Sequence, residues 1–184
     1  LNGSPRSNGN SGYLAGLACD VFSQAGVSHE VIRLGALIIK PCTACDACVK
    51  KTCRFCVIKD DMEGLYDKVL ACKALLIAST IYWFTYSAQL KLFIDRLYGL
   101  WNQEPACFEG KKTGGIFVYG DTDVYSSGAV NAISTLEHMM RYIKAEIVGF
   151  AYGTAGDPGD AARNPALIES TRELAGTLVR AVRV

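Results

Sequence analysis

Short apolar runs alternate along this sequence with stretches whose apolar residues recur every three or four positions. That alternation leaves few architectures open. Ala74–Ser79 is too short for a stable helix and apolar almost throughout, as a strand covered on both faces of a sheet must be. His29–Leu34, Lys112–Val118 and Ala145–Ala151 read as further strands, and Leu1–Arg6 as the end of a strand running into a turn. Between them the helical spacing is clear: Leu14, Leu17, Val21 and Phe22 after Asn10 or Ser11 as cap; Met62, Leu65, Val69 and Leu70 after Asp60 or Asp61; Leu90, Phe93, Ile94 and Leu97; Ala129, Ala132, Ile133, Leu136 and Met140. Asn164 starts a last helix with Leu167, Thr171, Leu174, Leu178 and Val182 facing inward. Strands alternating with helices predict a doubly wound parallel sheet in a three-layer α/β/α sandwich. No repeat or linker interrupts the pattern, so residues 1–184 are expected to form one domain. A parallel sheet of this kind needs a first strand before the Leu1–Arg6 turn. The sequence is therefore expected to begin partway through the natural protein, with most of that strand missing.

The ligands of open α/β sheets sit beyond the carboxyl ends of the strands. Three loops are predicted there. Gly3-Ser4-Pro5-Arg6-Ser7-Asn8-Gly9-Asn10-Ser11 offers hydroxyls, an arginine and a helix N-terminus, the physical make-up of a phosphate cradle, although alone it reads equally well as a surface turn. The loop Thr80–Tyr86 carries Tyr82, Trp83, Phe84 and Tyr86; each large apolar side chain left in water forgoes about 1.5–3 kcal/mol. These rings could wall a flat aromatic ligand or fill a subunit interface. The third loop, Tyr119-Gly120-Asp121-Thr122-Asp123 with Ser126-Ser127-Gly128, lets a ligand approach backbone closely.

Five of the eight cysteines lie between Cys42 and Cys56, on a loop of about residues 40–58. Clustering inside an α/β pattern predicts metal ligation in a reducing cytoplasm, not a disulfide scaffold. Cys42-x2-Cys45-x2-Cys48 has the compact spacing of a [4Fe–4S] ligand run, with Cys53 and Cys56 both candidates for the fourth ligand. Structural zinc and free thiols are the competing readings. Lys40, Lys50, Lys51, Arg54 and Lys59 stand against Asp46 alone in this loop, a charge suited to a net-negative cluster, to an acidic electron donor, or simply to solvent. Cys19 and Cys72 read as small core hydrophobes, Cys107 has no evident partner, and His29 and His138 receive no role. A net charge of +1 gives no electrostatic case for nucleic acid, and no apolar run is long enough to span a bilayer.

Four blocks occur in order: Gly3-Ser4-Pro5-Arg6-Ser7-x-Gly9-Asn10-Ser11; Pro41-Cys42-x2-Cys45-x2-Cys48; Cys56-Val57-Ile58-Lys59-Asp60-Asp61-Met62; and Tyr82-x4-Ser87-Ala88-Gln89-Leu90-Lys91-x3-Asp95-Arg96. Together they resemble the flavodoxin-like NADPH-dependent FMN reductase family, and within it the iron–sulfur flavoproteins. The resemblance implies a flavodoxin-like five-stranded sheet of order 2-1-3-4-5 that binds FMN. By position it implies that Ser4, Arg6, Asn10 and Ser11 hold the phosphate, that Tyr82, Trp83, Phe84 and Thr85 border the isoalloxazine, and that Gly120 and Asp121 close its other side. It also places Cys56 as fourth cluster ligand and implies a homodimer or homotetramer. Thr80 and Phe84 depart from the family pattern, where proline and a small residue are common, which narrows the expected ring pocket. Two functions follow: electron transfer through FMN and a cluster, fed by a ferredoxin-type donor, or NAD(P)H-dependent reduction of FMN or a quinone. A flavin-binding partner protein without turnover is a third.

Overall fold

The computed structural model describes residues 1–183. Eight principal elements follow in chain order: α1 (Asn10–Gln24), α2 (Met62–Ala71), β1 (Ala74–Thr80), α3 (Ala88–Gln103), β2 (Lys112–Tyr119), α4 (Ala129–Tyr142), β3 (Glu146–Thr154) and α5 (Pro165–Arg183). The three strands form one parallel sheet in the order β1-β2-β3.

Side chains alternate across that sheet as period two requires. Ala78, Ile116, Val118 and Ala151 face a core shared with Leu14 and Ala15 of α1 and with Leu167 and Leu174 of α5. Ile77, Phe117 and Tyr119 face the other core, where α2, α3 and α4 contribute Met62, Leu65, Val69, Leu90, Phe93, Leu97, Ala132, Leu136 and Met140. Two helical layers thus enclose the sheet.

Five strands were expected, and among the described residues three form. His29–Leu34 is not a strand. Asn2 makes single parallel bridges to Arg33 on one side and to Ala78 on the other, and a short 3-10 turn, Leu34–Ala36, follows at once. The bonds Asn2 N–H to Ile32 O, Leu34 N–H to Asn2 O, and Gly3 N–H to Ala78 O stitch these segments side by side. A ladder needs consecutive bridges, and each segment supplies only one residue to it.

The helix starts follow capping chemistry with two shifts. Gly9, not Asn10 or Ser11, is the N-cap of α1, and no side chain caps it. At α2, Asp61 is the cap residue but Asp60 Oδ1 accepts the Met62 N–H at 3.1 Å. Asn164 behaves as expected, its Oδ1 accepting from Leu167 N at 3.1 Å.

The cysteine loop is tied down at its base. The Arg96 and Asp60 side chains, both 1 % exposed, pair at 2.7 Å, and Arg96 also donates to the carbonyls of Lys40 (2.9 Å) and Ile58 (3.4 Å). Asp60 in turn accepts the Lys40 N–H at 2.9 Å. One buried ion pair therefore joins the entry and exit of the loop.

Candidate functional site

At the carboxyl ends of the strands four loops meet. Ser87 Oγ donates to Gly3 O at 2.6 Å, joining the first loop to the start of α3. Asn131 Nδ2 donates to Phe84 O at 3.3 Å, tying α4 to the aromatic loop. Asn10 reaches the loop after β3.

In the first loop Ser4 is buried, and its Oγ donates to Arg6 O at 3.2 Å and accepts from Arg6 N at 3.1 Å. This small ring turns the chain toward α1. Arg6 is exposed and takes part in no ion pair among the described residues. Behind it the first-turn N–H groups of α1 are uncapped, leaving partial positive charge there. Ser11 is fully buried, and its Oγ has no hydrogen-bond partner. A buried hydroxyl without a partner, beside open helix N–H groups and a free guanidinium, suits a phosphate. Asn10 stands apart from this set. Its Nδ2 donates to Ala155 O (2.9 Å) and Asp157 O (2.8 Å), and its Oδ1 accepts from Gly159 N (3.0 Å) and Ala161 N (3.3 Å). Its hydrogen-bonding capacity is spent on shaping the loop after β3.

The aromatic loop is a tight hairpin. Tyr82 and Thr85 pair through both backbone bonds, at 2.9 and 3.2 Å, and the two residues between them, Trp83 and Phe84, have φ of 46° and 70°. Positive φ at both central positions defines a type I′ turn, which ordinarily takes Asn-Gly. Bulky residues there carry backbone strain, a feature that clusters at ligand sites. Trp83 is 91 % exposed, Phe84 and Tyr82 are partly so, and the Trp83 and Phe84 rings meet edge to face. Gly128, at φ 74°, lies directly under Phe84: a Cβ there would stand 2.5–2.6 Å from Phe84 atoms. Across the site Gly120 and Asp121 are exposed, and the Asp121 carbonyl accepts from Thr154 Oγ1 at 2.7 Å. Beside them four hydrogen bonds from Thr122, Tyr125 and Ser126 hold the Asp123 carboxylate, led by the Ser126 N–H, and lower its pKa to about 2.

In the cysteine loop Cys42 and Cys45 are exposed, and Cys48, Cys53 and Cys56 partly so. Among the described residues no three of them are closed around a single ion. Backbone N–H groups face some of these sulfurs, while burial pushes the Cys48 and Cys53 thiols up. Cys42 Sγ accepts the Ala44 N–H at 3.4 Å and Cys56 Sγ the Ile58 N–H at 3.5 Å. The Ala47 N–H, together with the Thr43 hydroxyl, draws the Cys45 pKa down. The sulfurs of Cys42 and Cys56 thus each receive a backbone N–H from two residues downstream, the pattern that stabilises negative sulfur. Ala44, Asp46, Lys51 and Phe55 all take left-handed backbone to achieve these reversals.

Sequence reasoning missed the Arg96–Asp60 clamp and the four bonds of Asn10. A charged residue between Phe93, Leu97 and Leu100 on an apolar helix face was the available signal for the first. A cavity of about 750 Å³ lies at the opposite, amino ends of the strands, against Ala74, Leu75 and Leu76, and takes no part in this site.

Comparison with known proteins adds identity to this geometry. Residues 1–156 match the family model described as NADPH-dependent FMN reductase. An iron–sulfur flavoprotein of Methanosarcina thermophila is 35 % identical over 96 residues, 52 % of this chain and 49 % of that one, so the match spans about half of that relative. An iron–sulfur flavoprotein of Archaeoglobus fulgidus is 32 % identical over 163 residues, 86 % of this chain and 68 % of the relative. Among solved structures, the Trp repressor binding protein of Bacillus subtilis superposes with a TM-score of 0.70 at 25 % identity, covering 94 % of both chains.

Proposed function

The chain belongs to the NADPH-dependent FMN reductase family of flavin-dependent oxidoreductases, with a flavodoxin-like α/β fold, and from that membership we propose that it is an FMN-binding electron-transfer protein whose cysteine loop carries a [4Fe–4S] cluster. The observation that carries the flavin half is the buried, partnerless Ser11 hydroxyl beneath the open end of α1. Ser4, Arg6 and Ser11 would hold the phosphate; Asn10 would act through the loop it braces. Tyr82, Trp83, Phe84 and Thr85 would border the ring on one side, and Gly120 and Asp121 on the other. Bound FMN would supply the redox chemistry, accepting and releasing electrons singly or in pairs. The protein contributes stacking surfaces, fixed dipoles and exclusion of water.

The cluster half rests on the Cys42-x2-Cys45-x2-Cys48 run, on the N–H···S bonds to Cys42 and Cys56, and on relatives named iron–sulfur flavoprotein. Cys42, Cys45, Cys48 and Cys56 would be the ligands, with Cys53 as the alternative fourth. A cluster held here would relay single electrons. The basic side chains of Lys50 and Lys51, both exposed, suit an acidic ferredoxin-type donor.

Residues 1–3 and 32–34 would occupy the places of the first two strands in an order 2-1-3-4-5, making one flavin-binding domain. The 16 residues of α3 rise about 24 Å, and the cysteine loop packs toward its far end while the aromatic turn lies at its start. That separation within one chain favours a homodimer or homotetramer in which the loop of one copy faces the flavin site of another. Tyr98, Trp101 and Tyr142, stacked on the surface, would add to such an interface. Cysteines clustered on one loop and joined by no disulfide among the described residues suit a reducing cytoplasm. No helix among the described residues is long and apolar enough to cross a membrane.

The second reading is an NAD(P)H-dependent FMN or quinone reductase without a cluster, which the family's description favours. Absorbance with iron and sulfide analysis, on protein purified without oxygen, separates the two. Flavin bands with about four iron and four sulfide per chain are expected. Flavin without iron, with rapid bleaching by NADPH, would replace the first reading by the second.

A further inference from the structure

The cysteine loop has two arms, and they are held together at one side chain. The first arm ends at Cys48; the second runs from Cys53 to Cys56. Between them Lys51 takes left-handed backbone and the chain reverses, with Thr52 N–H bonded to Ala47 O at 3.1 Å. Gln103, the last residue of α3, spans both arms. Its Nε2 donates to Cys53 O at 2.9 Å and to Cys48 O at 3.4 Å, and its Oε1 accepts the Phe55 N–H at 3.2 Å. The second arm is strained as well as pinned. Phe55 has φ 63°, and Cys56 N–H bonds to Arg54 O at 2.8 Å across it, a γ-turn of the rare, strained hand. Burial of the Phe55 ring against Tyr66, 5.1 Å away, holds that turn in place. Gly99, one turn before Gln103, clears room for it: a Cβ there would stand 2.3 Å from Phe55 O.

We propose that Gln103 is a positioning residue for the iron–sulfur cluster, fixing the separation of the Cys42–Cys48 arm from the arm that delivers Cys56. The inference rests on the cluster reading above. Four thiolates can share one cubane only if both arms keep their spacing, and the single carboxamide bonded to both arms' carbonyls sets it. Losing an outer-shell partner of this kind typically weakens metal holding 10–100-fold. The hydrogen bonds of Gln103 all go to backbone groups, so it acts through the backbone that carries Cys48 and Cys53.

The test uses the full chain, reconstituted without oxygen with iron and sulfide, in three forms: unsubstituted, Gln103→Leu and Gln103→Glu. Leucine keeps the bulk and removes all three bonds. Glutamate keeps the acceptor for Phe55 N–H and removes both donations to the cysteine carbonyls. The readouts are iron per chain, the rate at which cluster absorbance is lost to an iron chelator, the electron paramagnetic resonance line shape of the reduced cluster, and the melting temperature of the iron-free protein. Both variants are expected to lose cluster at least tenfold faster and to change line shape, with FMN content unchanged. Both iron-free variants should still melt in a single cooperative transition, so that loss of cluster is not loss of fold. Equal loss rates and line shapes in all three forms would overturn the role of Gln103 and leave the cluster reading standing. Failure of the unsubstituted chain to take up iron would overturn the cluster reading, and this inference with it.

Discussion

At the residue scale the aromatic turn and the buried ion pair carry the sharpest consequences. Trp83 sits at φ 46° with 91 % of its surface exposed, so it loses conformational energy and gains little packing in return. Left-handed backbone costs an ordinary L-residue about 1–2 kcal/mol, and asparagine less. Trp83→Asn is therefore expected to stabilise the flavin-free protein by about 0.5–1 kcal/mol in urea titrations, while weakening FMN binding. A gain in stability together with unchanged FMN affinity would show that the strain serves no ligand, and a loss of stability would show that Trp83 is not strained. Asp60 behaves in the opposite sense. Burial raises its pKa, but the hydrogen bonds from Arg96 and from the Lys40 and Met62 amides, with the charge of Arg96, outweigh that and leave it below the ordinary 3.8. The folded pKa is thus the lower one, so the stabilisation is present at neutral pH and is lost as pH falls through the carboxylate range and below. Asp60→Asn leaves Arg96 buried without a counter-charge and is expected to cost about 3–5 kcal/mol at pH 7. The gap between variant and parent should narrow below about pH 4, where Asp60 begins to protonate in the unfolded chain. A gap that stays constant from pH 7 to pH 3 would mean the pair contributes no charge-dependent stability.

At the element scale α3 does most of the work of placing the site. Its first turn, capped by Ser87 Oγ on Leu90 N–H at 3.3 Å, adjoins the aromatic turn. Its Arg96, Gly99 and Gln103, at helical spacing, grip the cysteine loop. Gly99→Ala would gain roughly 1 kcal/mol of helix propensity, yet its methyl group must displace the Phe55 carbonyl. A net destabilisation of about 1–3 kcal/mol is expected, with faster thiol labelling of Cys48 and Cys53. A stabilised variant with unchanged labelling would show that the loop does not press on α3. The helices and the central strands were legible in the sequence because periodicity reports burial directly: Ala74–Ser79 and the Leu90, Phe93 and Leu97 stripe read as they fold. His29–Leu34 misled because its apolar Val31, Ile32 and Leu34 suit a strand, whereas the neighbouring segment offers it one bridge at Asn2. The grip of Gln103 and the bonds of Asn10 were not legible. They join residues some 50 and 150 positions apart, and a polar side chain's partner across such a span is set by tertiary packing, not by local pattern.

At the scale of the whole molecule, parallel strands and their returning helices bring the first loop, the aromatic turn and the loops after β2 and β3 to one edge. Asn10 binds the first loop to the last, Ser87 the first to the aromatic turn, and Asn131 the aromatic turn to α4. The composition of that edge was visible beforehand in Gly3–Ser11, Thr80–Ser87 and Tyr119–Gly128. Its internal allocation was not: Ser11 and Arg6 are left open while Asn10 is consumed by the fold. On this reading the edge binds FMN through its phosphate at the start of α1. Titration of the flavin-free protein with FMN and with riboflavin, followed by quenching of flavin fluorescence, tests it most directly. FMN is expected to bind at least tenfold more tightly, with Arg6→Ala closing most of that gap and leaving riboflavin affinity unchanged. Equal affinities for the two flavins, or no binding of either, would contradict it.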